Sequence, residues 1–184
     1  MTLRFLKSDI EIDFWFVAVI TLMLVLFPES NAAACFLMCV LHEAGHLTAM
    51  LFTGKKAERI KLGYFGMKIV TENRFLSPFK ESIIAFSGPL VNLVLFFVFY
   101  GSGRTDYTII NLGLAAFNLL PVTMLDGGHI ISAFFPDSKI HKALSLACAV
   151  ILFIVGAAVA AYTKENFTII IVALYLLIGI ISEK

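Results

Sequence analysis

A chain of 184 residues that is 60% hydrophobic and only 15% charged, with a mean hydropathy of +0.93, is no ordinary soluble domain. A formal net charge of +1, with no basic run interleaved with aromatics outside the apolar stretches, argues against nucleic-acid binding. Three cysteines, all in apolar stretches, supply no even-numbered disulfide framework. What remains is a polytopic membrane protein with room for one bundle of spanning helices.

Crossing a hydrocarbon core of about 30 Å takes roughly 20 apolar residues, fewer for a helix packed inside a bundle. Six stretches qualify. The first lies near 12–27, with Ser8 and Glu11 spaced as a capping box and Pro28 as its stop. It lacks a small-residue cleavage site and follows Asp9, Glu11 and Asp13, so it reads as a retained helix, not a signal peptide. The second, near 32–52, follows the capping candidates Ser30 and Asn31. The next loop, 53–81, is too long for a simple turn. In it Ile60-Lys61-Leu62-Gly63-Tyr64 alternates, Phe65-Gly66 breaks the run, and Met67-Lys68-Ile69-Val70 follows, as in a pair of short strands turning near Gly63–Gly66. An amphipathic surface loop is the alternative. The third span, near 82–100, is interrupted by Ser87-Gly88-Pro89; the fourth, near 107–120, runs into Pro121; the fifth and sixth lie near 143–162 and 167–181. The expected fold is an all-α polytopic membrane protein, a six-helix transmembrane bundle with a short membrane-associated β-hairpin in the second loop, forming a single domain over 1–184.

Charge orients this bundle. With six spans, every basic residue except Arg104 and Lys164 falls on the side of the two termini. By the positive-inside rule both termini are cytoplasmic. The second span then runs inward, and His46, six residues before Phe52, sits about 9 Å from its cytoplasmic end.

That span carries His42-Glu43-Ala44-Gly45-His46. Histidines four apart on a helix share a face and can hold one zinc, and the glutamate between them can act as general base. Ionisable groups at bilayer depth are expensive and mark function by default. The bland reading, a helix with polar residues satisfied by neighbours, suits a soluble core better than a bilayer. Catalytic zinc wants a third protein ligand and an open position. Asp126, in Leu125-Asp126-Gly127-Gly128-His129, is the best candidate: it follows a span that also runs inward, and Gly127 and Gly128 permit tight turns beside a metal. His129 and Cys39 compete for the place; Cys39 and Cys35 also fit a small-residue packing face.

In order along the chain, HEAGH, Ser87-Gly88-Pro89-x-x-Asn92 and Asn118-x-x-Pro121-x-x-x-x-Asp126-Gly127 resemble the site-2 protease family of intramembrane zinc metalloproteases. The resemblance runs from the first span to the sixth and is similar to the small branch that includes the sporulation pro-sigma-factor protease. It implies one zinc held by His42, His46 and Asp126, with Glu43 catalytic. Asn118 and Asn92 match polar positions that hold substrate or the developing oxyanion, and the strand pair matches a membrane-associated sheet whose edge pairs with extended substrate. Thr123 departs from the pattern, standing where many members have a second proline, and neither an inserted PDZ domain nor a C-terminal nucleotide-sensing domain is expected.

The implied activity is zinc endopeptidase cleavage of transmembrane or juxtamembrane segments in regulated proteolysis. Its partners are a transmembrane-helix substrate, the lipid bilayer and a regulatory membrane protein, in the plasma membrane of a bacterium or archaeon with the site toward the cytoplasm. A membrane metal carrier using the same histidines is the rival, although Glu43 has no task in a carrier and no paired broken helices appear in matching halves.

Overall fold

A computed structural model describes residues 2–5, 8–12, 21, 31–55, 57–63, 66–71, 76–136, 138–164 and 167–182. The expected first span lies outside these residues apart from Ile12 and Thr21. The chain divides into two compact units, Met1–Ala115 and Ala116–Lys184.

The first unit holds a four-stranded sheet in the order β1 (Thr2–Phe5), β2 (Ser8–Ile12), β3 (Ala57–Gly63), β4 (Gly66–Thr71). β3 and β4 are antiparallel with Gly63 opposite Gly66, and β2 runs parallel to β3 with Asp9 opposite Arg59. β1 and β2 form a second antiparallel pair. Ser8 and Glu11 are therefore strand residues, not a capping box, and Ile12 ends a strand instead of opening a span. The physical reason is visible in Ser8-Asp9-Ile10-Glu11-Ile12, whose period of two suits a strand once β3 offers a partner.

Two long helices complete the unit's frame. α1 (Ala32–Thr53) ends at Gly54, whose φ of 78° is left-handed and lets its amide reach the Met50 carbonyl. The buried residues of α1, namely Met38, His42, Gly45, His46 and Met50, fall on one stripe, while Leu37, Leu51 and Phe52 are exposed as expected of a helix in lipid. α2 (Pro78–Gly101) starts with proline in its first turn and runs unbroken through Pro89. The expected interruption at Ser87-Gly88-Pro89 is thus absent. A single missing amide is tolerated inside a membrane-type helix whose neighbours supply other partners, and what this segment provides is close approach. A Cβ on Gly45 would lie 2.7 Å from the Ser87 carbonyl oxygen, so α1 and α2 meet backbone to backbone. α3 (Thr105–Asn118) follows, and the division between units falls within it.

In the second unit, a turn over 119–125 leads to α4 (Asp126–Phe134), then α5 (Lys139–Thr163) and α6 (Thr168–Ser182). Its core is Val122, Ala149 and Leu176, with Phe117, Met124, Leu152 and Val172 packed around them. Ser145 is fully buried on α5; its hydroxyl donates to the Pro121 carbonyl (3.0 Å) and accepts from the Thr123 amide (3.2 Å), clipping the turn to the helix. Among the described residues, α1, α2 and α5 are long and apolar enough to cross a membrane; α6, with 15 residues, is apolar but shorter.

Candidate metal centre

The helical spacing of HEAGH brings the two imidazoles to one buried face, His42 at 6% and His46 at 7% exposure. Each ring is fixed by its Nδ1. That of His46 donates to the Ile84 carbonyl at 2.8 Å, and that of His42 to Asn92 Oδ1 at 2.6 Å. A carbonyl can only accept, so neutral His46 carries its hydrogen on Nδ1 and leaves Nε2 unprotonated. With His42 Nδ1 also donating, the neutral rings turn their unprotonated nitrogens toward each other, 3.1 Å apart. Two lone pairs at that distance repel unless a cation sits at their vertex. Nitrogens each about 2.0–2.1 Å from one tetrahedral zinc lie about 3.3 Å from each other, so the pair fits that ion.

Gly88 forms the wall of this vertex. A Cβ there would run into His46 Nε2 and lie 2.7 Å from His42 Nε2. Only glycine leaves room where the lone pairs converge. Glu43 follows His42 directly and is half-buried. Cys35 and Cys39, half-buried free thiols, lie on the same helix.

Asn92 is fully buried and engaged at both ends of its amide: Oδ1 takes the His42 proton and Nδ2 donates to Asn111 Oδ1 at 3.0 Å. The sequence reading missed Asn111. The signal was there, an amide inside Ile109-Ile110-Asn111-Leu112, where an unpartnered polar group would be costly.

The remaining expected site residues belong to the second unit or its border. Asn118, half-buried, is the last residue of α3. Asp126 is half-buried and is the first residue of α4, so it sits at a helix start and not in a loop. Gly127 and Gly128 are helical and buried; their task is contact, not turning. Cβ atoms there would strike the Leu119 and Leu120 carbonyls and the Val122 carbonyl, respectively. His129 is exposed.

A helical protein of membrane character, with a histidine pair able to hold a metal and an adjacent glutamate, is the class these features define. Residues 106–163 match the family model described as Peptidase family M50. Stage IV sporulation protein FB of Bacillus subtilis (strain 168) is 29% identical over 152 residues, 74% of this chain and 52% of that protein. A zinc metalloprotease of Methanocaldococcus jannaschii is 27% identical over 168 residues, 81% of this chain and 48% of that protein. The chain thus spans about half the length of these curated relatives. The solved site-2 protease from Methanocaldococcus jannaschii has the same fold, with a TM-score of 0.67 over 100% of this chain and 94% of that one at 22% identity. The chain thus resembles Peptidase family M50 over residues 106–163 and shares the fold of a solved site-2 protease.

Proposed function

We propose that this chain is an intramembrane zinc endopeptidase that cleaves transmembrane or juxtamembrane segments of membrane-anchored proteins in regulated proteolysis. The observation that carries the reading is the convergence of the His42 and His46 Nε2 atoms, 3.1 Å apart on an apolar helix, with a glutamate next to them. Residues 1–184 act as one protease domain of six spans, with both termini and the metal centre toward the cytoplasm; the distribution of basic residues supports that orientation.

His42, His46 and Asp126 hold one zinc. The choice of Asp126 is supported by its half-buried carboxylate at the start of α4 and by the exposure of His129, its nearest competitor in sequence. Bound there, zinc would polarise the scissile carbonyl and acidify a water molecule. Glu43 accepts the proton of that water and returns it to the leaving amine. Asn118 donates its amide to the oxygen that gains charge, a contact worth about 3 kcal/mol at comparable sites. Asn92 was a second candidate for that donor; its engagement with His42 and Asn111 favours an orienting role instead.

A helical substrate must unwind before its peptide bonds are accessible. β4, an edge of the sheet among the described residues, offers main-chain groups to an extended segment. A regulatory membrane protein would control that access.

The deciding experiment reconstitutes the chain with single-span substrates and compares it with Glu43→Gln and Asp126→Asn. Cleavage that survives Glu43→Gln would sink the mechanism, and zinc flux without cleavage would favour a metal carrier. Undiminished zinc stoichiometry in Asp126→Asn would return the third ligand to His129 or Cys39.

A further inference from the structure

Behind the histidine pair lies a chain of amides whose direction is set far from the metal position. Asn111 Nδ2 donates to the Tyr107 carbonyl at 2.8 Å, one turn back along α3. That oxygen can only accept, so the Asn111 amide is oriented: Nδ2 to the carbonyl, Oδ1 toward Asn92. Asn92 must then meet Oδ1 with its own Nδ2 and turn its oxygen to His42. Asn92 and Asn111 are both fully buried, so water cannot substitute for any of these partners.

We infer that Asn111 is a positioning residue that sets the tautomer of His42. The inference rests on the zinc reading above, and its logic comes from the alternative state. If Asn92 turned over, its Nδ2 would face His42 Nδ1, and the imidazole proton would move to Nε2. There it could donate to His46 Nε2, already 3.1 Å away. That closed pair is the comfortable arrangement for two neutral histidines without a cation, and it hides both lone pairs. Asn111 forbids it. A flipped Asn92 would set oxygen against Asn111 Oδ1; flipping Asn111 as well would set oxygen against the Tyr107 carbonyl. Either clash leaves buried acceptors facing each other, an expensive outcome in a low-dielectric interior. The relay from a backbone carbonyl through two amides thus keeps His42 Nε2 open for metal. His46 needs no relay, because its Nδ1 is anchored directly on the Ile84 carbonyl.

The test uses the full chain in detergent with 15N-labelled histidine, stripped of metal by chelator, at a pH where imidazole is neutral. Long-range 1H–15N spectra report which ring nitrogen bears hydrogen. In the wild type His42 and His46 are both expected in the Nδ1–H form. In Asn111→Leu and Asn111→Ala, His42 is expected to shift to Nε2–H while His46 stays as it was, and zinc affinity by chelator competition should fall about 10-fold, the lower end of losses seen when groups behind metal ligands are removed. A His42 that stays Nδ1–H in both variants overturns the inference. So does a change in both histidines together, which would mark Asn111 as packing only. Absence of zinc binding in the wild type would overturn the protease reading instead, and the tautomer spectra would still decide the relay.

Discussion

The two halves of the expected metal site are built by different physics. In the first unit, His42 and His46 are aimed by hydrogen bonds: Asn92, Asn111 and the Ile84 and Tyr107 carbonyls fix ring orientation and protonation inside a dry α1–α2 crossing. In the second unit, the Pro121–Asp126 segment is aimed by shape. Gly127 and Gly128 press against the 119–123 backbone, Val122 is locked in the core, and a single serine hydroxyl clips the turn. Imidazoles need a directed partner because either nitrogen can carry the proton. A carboxylate has equivalent oxygens and no tautomer to choose, so fixing the backbone beneath it is enough. Errors in the first region should therefore appear in metal chemistry, and errors in the second in stability.

The sharpest contrast comes from a change that leaves both frameworks alone. Glu43→Gln is nearly isosteric and breaks no hydrogen bond described above, yet it removes the proposed base. Cleavage of a single-span substrate should fall about 10³-fold, within the usual range for a positioned acid–base group, while zinc content and thermal stability stay at wild-type values. A variant that loses zinc along with activity would mean that Glu43 belongs to the metal-holding frame.

Gly88→Ala strikes the first region sterically. Its methyl group would occupy the place where the two Nε2 atoms converge, 2.7 Å from that of His42. Zinc affinity should drop by at least about 10-fold, comparable with losing a group behind the ligands, and helical content should persist because α2 continues through this point. Equilibrium dialysis against a zinc chelator measures it. Gly128→Ala is the counterpart in the second region. Its Cβ would collide with the Val122 carbonyl, which is backbone and cannot swing away. The expected result is a loss of about 1–3 kcal/mol, the ordinary cost of overpacking, seen as a lower midpoint in denaturant titration. The tautomers of His42 and His46 should not move.

Legibility in the sequence followed the same divide. HEAGH, its span and the order of the later motifs could be read because they depend on spacing along one helix or on hydropathy, both local properties. Asn111 could not be connected to His42, since a contact across 19 residues to Asn92 and a further 50 to the histidine exists only after α1, α2 and α3 pack. The strands β1 and β2 escaped notice for a related reason: their alternation is short, and the pairing of β2 with β3 requires residues about fifty positions away. Gly127 and Gly128 illustrate a subtler failure. Their presence was noticed, but glycine permits a turn and permits close packing equally well, and only the Leu119, Leu120 and Val122 carbonyls reveal which use was made of it.

The smallest effect tests the contrast most directly. Ser145→Ala removes a hydroxyl from a fully buried position and with it the contacts to the Pro121 carbonyl and the Thr123 amide. Leaving such groups unsatisfied costs about 1–3 kcal/mol, and alanine adds no clash and opens little space, so the lower end is expected. The shape-based view demands a second consequence: zinc affinity should fall only slightly, because the glycine contacts and Val122 still hold the backbone that carries Asp126. Ser145→Cys, which retains a weak donor and acceptor of similar size, should recover part of the stability. If Ser145→Ala instead weakened zinc binding as much as Asn111→Leu while barely changing stability, the turn would be aimed by its hydrogen bonds after all, and the division between a directed region and a shaped one would collapse.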